Sequence, residues 1–110
     1  MALSTHRVNT AKRKMLAGEA VIGTSSNSGS PMMVELLSHS GLDFVMLDLQ
    51  HGLWTDETAA DGFRAISLGS ATPMARVGKN DYGAIGRLLD RGALGIIVPM
   101  VNTPEEAREA

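Results

Sequence analysis

The sequence predicts an α/β fold: four βα units with parallel strands, arranged as the N-terminal half of a (β/α)8 TIM barrel. Three observations predict it. Apolar runs begin near Val21, Asp43, Pro73 and Gly95, and each is followed by a segment with helical spacing. The second run, Phe44-Val-Met-Leu47, sets four apolar side chains in succession, the pattern of a strand covered on both faces. The chain then stops at Ala110, soon after a helix start at Thr103, whereas a full barrel takes about 250 residues. A truncated barrel domain over residues 1–110 is therefore expected; a self-contained four-stranded α/β domain is the competing arrangement.

The elements follow in order. Val8, Ala11, Met15 and Leu16 stand at helical spacing, so a leader helix is expected over about 6–17. The βα units then fill about 20–110. Val21 to Thr24 reads as the first strand and Ser25 to Ser30 as a polar loop. Ser30 can cap a helix with Pro31 at its first position, where a missing N–H is harmless. Met32, Met33, Leu36 and Leu37 would be that helix's apolar face, with Gly41 as its stop. Asp43 to Leu47 is the second strand. Thr55 caps the next helix, with Asp56 and Glu57 in the first turn to suit the dipole, and Ala59, Phe63 and Ile66 as its buried stripe. Pro73 to Val77 is the third strand. Asn80 or Asp81 opens a helix bearing Tyr82, Ile85, Leu88 and Leu89, and Gly92 ends it. Gly95 to Val98 is the fourth strand, and Thr103-Pro-Glu-Glu106 combines a capping box with proline at the first position.

Composition narrows the function classes. A net charge of −2 with 20% charged residues argues against electrostatic binding of nucleic acid or a membrane surface. No apolar stretch approaches the length of a bilayer span. With no cysteine, disulfides and thiolate metal sites are excluded. The basic, acid-free segment Met1 to Lys14 has a transit-peptide-like composition, but its helical spacing favours a lead-in to the fold, and a cytoplasmic location is expected.

Chemistry is expected where strands end. Asp48 and His51 close the second strand, Arg76 closes the third, and Asn102 follows the fourth. In a parallel sheet these share one rim, the C-terminal rim where barrel enzymes keep their active sites. His51 can act as a general base near neutral pH, and the planar fork of Arg76 suits a carboxylate or an enolate oxygen. Asp48 can orient His51 or hold a metal-bound water. Each residue also has a plainer role available: His51 as a loop residue, Arg76 as an ion-pair partner, Asp48 as a cap on the following turn.

Four segments together resemble one family. Gly41-Leu-Asp-Phe-Val-Met-Leu-Asp-Leu-Gln-His-Gly52, Pro73-Met-Ala-Arg-Val77, Ile85-Gly-Arg-Leu-Leu-Asp-Arg-Gly-Ala93 and Gly95-Ile-Ile-Val-Pro-Met-Val101 are similar, in order and spacing, to the HpcH/HpaI class II pyruvate aldolases. The resemblance runs from about Lys12 to Ala110. It implies a (β/α)8 barrel that uses a divalent metal ion (Mg, Mn or Co) to cleave 4-hydroxy-2-oxo acids into pyruvate, or a close 2-oxo acid, and an aldehyde. It further implies that His51 takes the 4-hydroxyl proton, that Arg76 binds substrate and steadies charge on the keto oxygen, and that Asp90 raises the basicity of the histidine. Asp48 and Gln50 would stand around metal-bound water, with the direct ligands, a glutamate and an aspartate, beyond Ala110.

The helix carrying Asp90 runs back toward the opposite rim, so Asp90 is expected to serve a neighbouring subunit of a trimeric or hexameric homo-oligomer. Gln50 stands where many family members have glutamate, and Ser25 where some carry an aromatic residue, so metal preference and aldehyde choice are expected to differ. A CoA-ester lyase of the citrate lyase β type is the runner-up, disfavoured by the lack of a basic patch for CoA phosphates. A non-catalytic half-barrel is the reading from another class, and the 110-residue piece alone is expected to be inactive.

Overall fold

The computed structural model describes residues 7–110. Five helices and four strands alternate: α1 (Thr10–Leu16), β1 (Gly23–Ser26), α2 (Pro31–Ser38), β2 (Phe44–Asp48), α3 (Asp56–Ser67), β3 (Thr72–Arg76), α4 (Tyr82–Arg91), β4 (Gly95–Ile97) and α5 (Pro104–Glu109). The strands form one parallel sheet in the order β1-β2-β3-β4, each consecutive pair joined by a helix, which is half of a barrel. No described helix is long and apolar enough to cross a membrane.

Local sequence sets the helix starts. Ser30, Thr55, Asp81 and Thr103 each accept a hydrogen bond from the backbone N–H three residues on, which removes one orphan donor of the first turn. At Thr55 the reciprocal partner is the hydroxyl of Thr58, and at Thr103 it is the carboxylate of Glu106. Gly92 ends α4 at φ 123°, a conformation costly for any residue with a Cβ.

The strand ends move from the sequence expectation. β1 lies two residues later than Val21–Thr24, because Ser25 and Ser26 pair in register with Met46 and Leu47 instead of looping out. β2 lies one residue later than expected and β3 one residue earlier, with Phe44 opposite Thr72 and Asp48 opposite Arg76.

Register partners in a parallel sheet point to the same side, so the two faces are easily separated. One face carries Val45, Leu47, Ala75 and Ile96, and packs on Val34, Phe63, Ile66 and Leu88 of the helices as a single core. The other carries Met46, Asp48, Met74, Arg76 and Ile97, the side that would line a barrel's interior.

Two helix faces differ from expectation. Met32, Met33 and Leu36 are exposed, at 76%, 47% and 62%; α2 buries Val34 and Ser38 instead. Ser38 is tolerated there because its hydroxyl donates to the Ile66 carbonyl and accepts from the Ala71 N–H. On α4, Leu88 is buried, whereas Tyr82 and Leu89 are exposed. Periodicity marks an apolar stripe but does not say what covers it.

The leader helix is shorter than 6–17, and Met1 to His6 lie outside the described residues. Only Ala11 of its predicted stripe is buried, and polar contacts dock it instead. Asn9 Nδ2 donates to the Leu94 carbonyl (2.9 Å), the Ala11 N–H to Thr72 Oγ1 (3.2 Å), and Lys14 Nζ to Asp43 (2.9 Å). All three partners sit at or just before strand starts, so α1 closes the rim opposite the strand ends.

Candidate active site

Strand β2 is apolar until its last residue, and that residue is a carboxylate with 1% exposure. Burying a charge is costly without partners, and Asp48 has four donors. Arg76, its register neighbour, presents Nε to Oδ1 at 3.1 Å and a terminal nitrogen to Oδ2 at 2.5 Å, a two-point fork. The backbone N–H groups of Gln50 and His51 donate to Oδ1 at 2.9 and 3.2 Å. Together these hold the Asp48 carboxyl well below the ordinary 3.8, at about 2, with the Arg76 fork the largest cause. The same contact raises the Arg76 guanidinium further above its usual range.

The plainer roles of Asp48 and Arg76 are thus both filled, since Asp48 caps the turn and pairs with the arginine. Asp48 touches His51 through the backbone N–H and not through the ring. Arg76 spends Nε and one terminal nitrogen on Asp48, and its side chain keeps 29% exposure. The second terminal nitrogen makes no hydrogen bond among the described residues, which leaves a positively charged donor toward the sheet's uncovered face.

His51 sits on the loop between β2 and α3, and that loop is tied on both sides. The Leu49 N–H donates to the Arg76 carbonyl (3.0 Å), joining it to β3. On the other side, the Leu53 N–H donates to the Asn27 carbonyl (2.9 Å) and Trp54 Nε1 donates to the Ser26 carbonyl (3.0 Å). Gly52 fits only because it lacks a side chain: a Cβ there would lie 2.3 Å from the Asp48 carbonyl oxygen and 3.0 Å from Asn27 Cα. The His51 side chain itself is exposed, and neither it nor the Gln50 amide bonds another described residue.

Asp48, Gln50, His51 and Arg76 therefore gather at one rim. Asn102 follows β4 toward the same rim, where its amide donates to the Met100 carbonyl (3.2 Å) and its backbone N–H to Glu106 (2.6 Å). Asp90 does not join them: it is exposed in the last turn of α4, the end that leads into the start of β4. Among the described residues no group of three or more His, Cys, Asp or Glu is placed to hold a metal ion.

A cleft of about 450 Å³ lies nearby, between the N-termini of α3 and α4. It is lined by Val77 of the core side and by Asp56, Lys79, Asp81 and Arg87, with an Arg87–Asp56 pair at 2.7 Å. It is on the helix side of the sheet and not on the face that carries Asp48 and Arg76.

Sequence reasoning missed Trp54 and Gly52. The available signal was the chain's single tryptophan, placed three residues after the candidate base.

Residues 22–110 match the profile described as HpcH/HpaI aldolase/citrate lyase. Among curated relatives, a 2-keto-3-deoxy-L-rhamnonate aldolase of Klebsiella pneumoniae subsp. pneumoniae is 36% identical over 101 residues, covering 92% of this chain and 38% of the relative. An HpcH/HpaI aldolase/citrate lyase family protein of Burkholderia cenocepacia superposes with TM-score 0.86 at 28% identity, covering 93% of this chain and 41% of that one. The citrate synthase SbnG superposes with TM-score 0.82 at 36% identity, covering 89% and 40%. The chain thus spans about two fifths of the length of the proteins it matches.

Proposed function

The chain belongs to the HpcH/HpaI aldolase/citrate lyase family, and from that premise we propose that the whole protein is a metal-dependent, class II aldolase. Its substrates are 4-hydroxy-2-oxo acids, which it splits into pyruvate or a close 2-oxo acid and an aldehyde. One observation carries the reading: a guanidinium pinned by a buried carboxylate shares the C-terminal rim of a parallel sheet with an exposed histidine, whose backbone N–H bonds the same carboxylate.

In this reading His51 takes the proton from the substrate's 4-hydroxyl. The C3–C4 bond then breaks, the aldehyde leaves, and the electron pair passes to the 2-oxo oxygen as an enolate. The unpaired nitrogen of Arg76 donates to that oxygen, and because Asp48 fixes the fork beforehand, little reorganisation is needed as charge develops. Protonation of the enolate carbon completes the 2-oxo acid. A divalent ion (Mg, Mn or Co) supplies Lewis-acid help at the same oxygen when bound. The described residues do not form its site; Gln50 and Asp48 would stand around its water, and its direct ligands would come from outside the described residues. Asp90, remote from His51 in its own chain, serves the histidine of a neighbouring subunit in a trimeric or hexameric assembly.

A CoA-ester lyase is the second reading, favoured by the citrate lyase part of the family description. Pyruvate release by the full-length protein, with and without Mn²⁺, separates the two. We expect metal-dependent release from a 4-hydroxy-2-oxo acid, reduced about 10²- to 10⁴-fold in His51→Ala. Cleavage of a CoA ester alone, or activity untouched by that substitution, would overturn the aldolase reading.

A further inference from the structure

We infer that Trp54 is a positioning residue for His51: it straps the loop that carries the imidazole to the end of β1. The inference deepens the aldolase reading and rests on it for the identity of the base.

The loop from Leu49 to Thr55 has no regular structure, yet its backbone has little freedom. Its first half hangs on Asp48 and on the Arg76 carbonyl, contacts that also hold Arg76. Its second half depends on a different anchor. The Trp54 ring is 3% exposed and lies in the core beneath the loop. It fits against α3 at Gly62, where a Cβ would come within 2.8 Å of the ring. A ring held there directs Nε1 at the Ser26 carbonyl, the last of β1, at 3.0 Å. The adjoining Leu53 N–H reaches the next carbonyl, Asn27, at 2.9 Å. Gly52 lets the two backbones approach closely enough for both bonds.

His51 lies between the two anchors, and its exposed ring has no partner of its own among the described residues to set its position. Where the ring sits is therefore decided by the backbone on either side of it. Releasing the β1 anchor should displace the imidazole while leaving the Asp48–Arg76 fork intact, because the fork hangs on β2 and β3 alone. The two halves of the site are thus mechanically separable.

The test is Trp54→Phe in the full-length protein, which removes the indole N–H and keeps a buried ring. Gly52→Ala is the contrasting variant: a Cβ there meets the Asp48 carbonyl at 2.3 Å as well as Asn27, so it disturbs both anchors. We expect kcat to fall about tenfold in Trp54→Phe with KM for the 2-oxo acid held within about twofold, and KM to rise as well in Gly52→Ala. Amide exchange at Leu53 should accelerate in both, while that at Gln50 stays slow in Trp54→Phe. In Trp54→Phe, a loss of kcat together with a raised KM would mark a general disturbance of the fold and overturn the inference, as would faster Leu53 exchange with kcat unchanged. If the parent protein releases no pyruvate, the aldolase reading fails, and the strap is judged by diethyl pyrocarbonate labelling of His51. A changed labelling rate in Trp54→Phe then supports it, and an unchanged rate overturns it.

Discussion

The two faces of the sheet are built on opposite principles. Toward the helices, Val45, Leu47, Ala75 and Ile96 meet Val34, Phe63, Ile66 and Leu88 in an apolar core, with the buried Ser38 hydroxyl bonded to backbone at its edge. Toward the other side, Met46 and Met74 give way at the strand ends to Asp48 and Arg76, a charged pair held by four directed hydrogen bonds. Hydrophobic contact is tolerant of direction, so the first face secures the fold. Hydrogen bonds to a buried carboxylate are not, so the second face secures a geometry. Substitutions on the two faces should therefore fail in different ways.

The largest loss of stability is expected on the helix side. Leu47→Ala leaves a cavity beneath α3 and should cost about 3–5 kcal/mol in chemical denaturation. A cost below about 1 kcal/mol would mean that the helix layer is not packed as described. On the other face, Asp48→Asn keeps the volume but loses the charge that holds the fork. Activity of the full-length protein should drop about a hundredfold, while stability falls by less than in Leu47→Ala.

The same pair has a pH signature. A carboxyl held at about 2 against an ordinary 3.8 adds stability that is complete above 3.8 and disappears as the pH falls from there toward 2. Acid denaturation across that window should be steeper in the parent than in Asp48→Asn, and identical curves would remove the pair from the account. The smallest effect belongs to the opposite rim. Asn9 caps α1 through the Lys12 N–H and ties it to Leu94, so Asn9→Ala should cost about 1 kcal/mol and leave activity unchanged.

The same contrast explains what the sequence could reveal. Helix starts at Ser30, Thr55, Asp81 and Thr103 were legible because a cap is made within four residues. The parallel alternation was legible for the same reason, as each unit repeats a local pattern. The outward turn of Met32 and Leu36 was not, since an apolar stripe is silent about its neighbours. For the site, the shared rim of the strand-end residues was legible, because a parallel sheet brings all its strand ends to one side. The partnership between Asp48 and Arg76 needed the register of β2 against β3, which is not a local property. The anchor at Trp54 needed the position of β1, whose start the Val21–Thr24 pattern set two residues early.

The resemblance and the fold agree on the family, and the geometry adds how the rim is held in this chain. Arg76 is held in a fixed fork by Asp48, and His51 is carried on a loop fixed at both ends. A crystal structure of the full-length protein with pyruvate bound tests this most directly. It should show the keto oxygen on the free terminal nitrogen of Arg76, with the fork to Asp48 unbroken and the His51 ring facing the ligand. Pyruvate seated in the cleft between α3 and α4, or an arginine turned away from Asp48 to reach its ligand, would contradict the account.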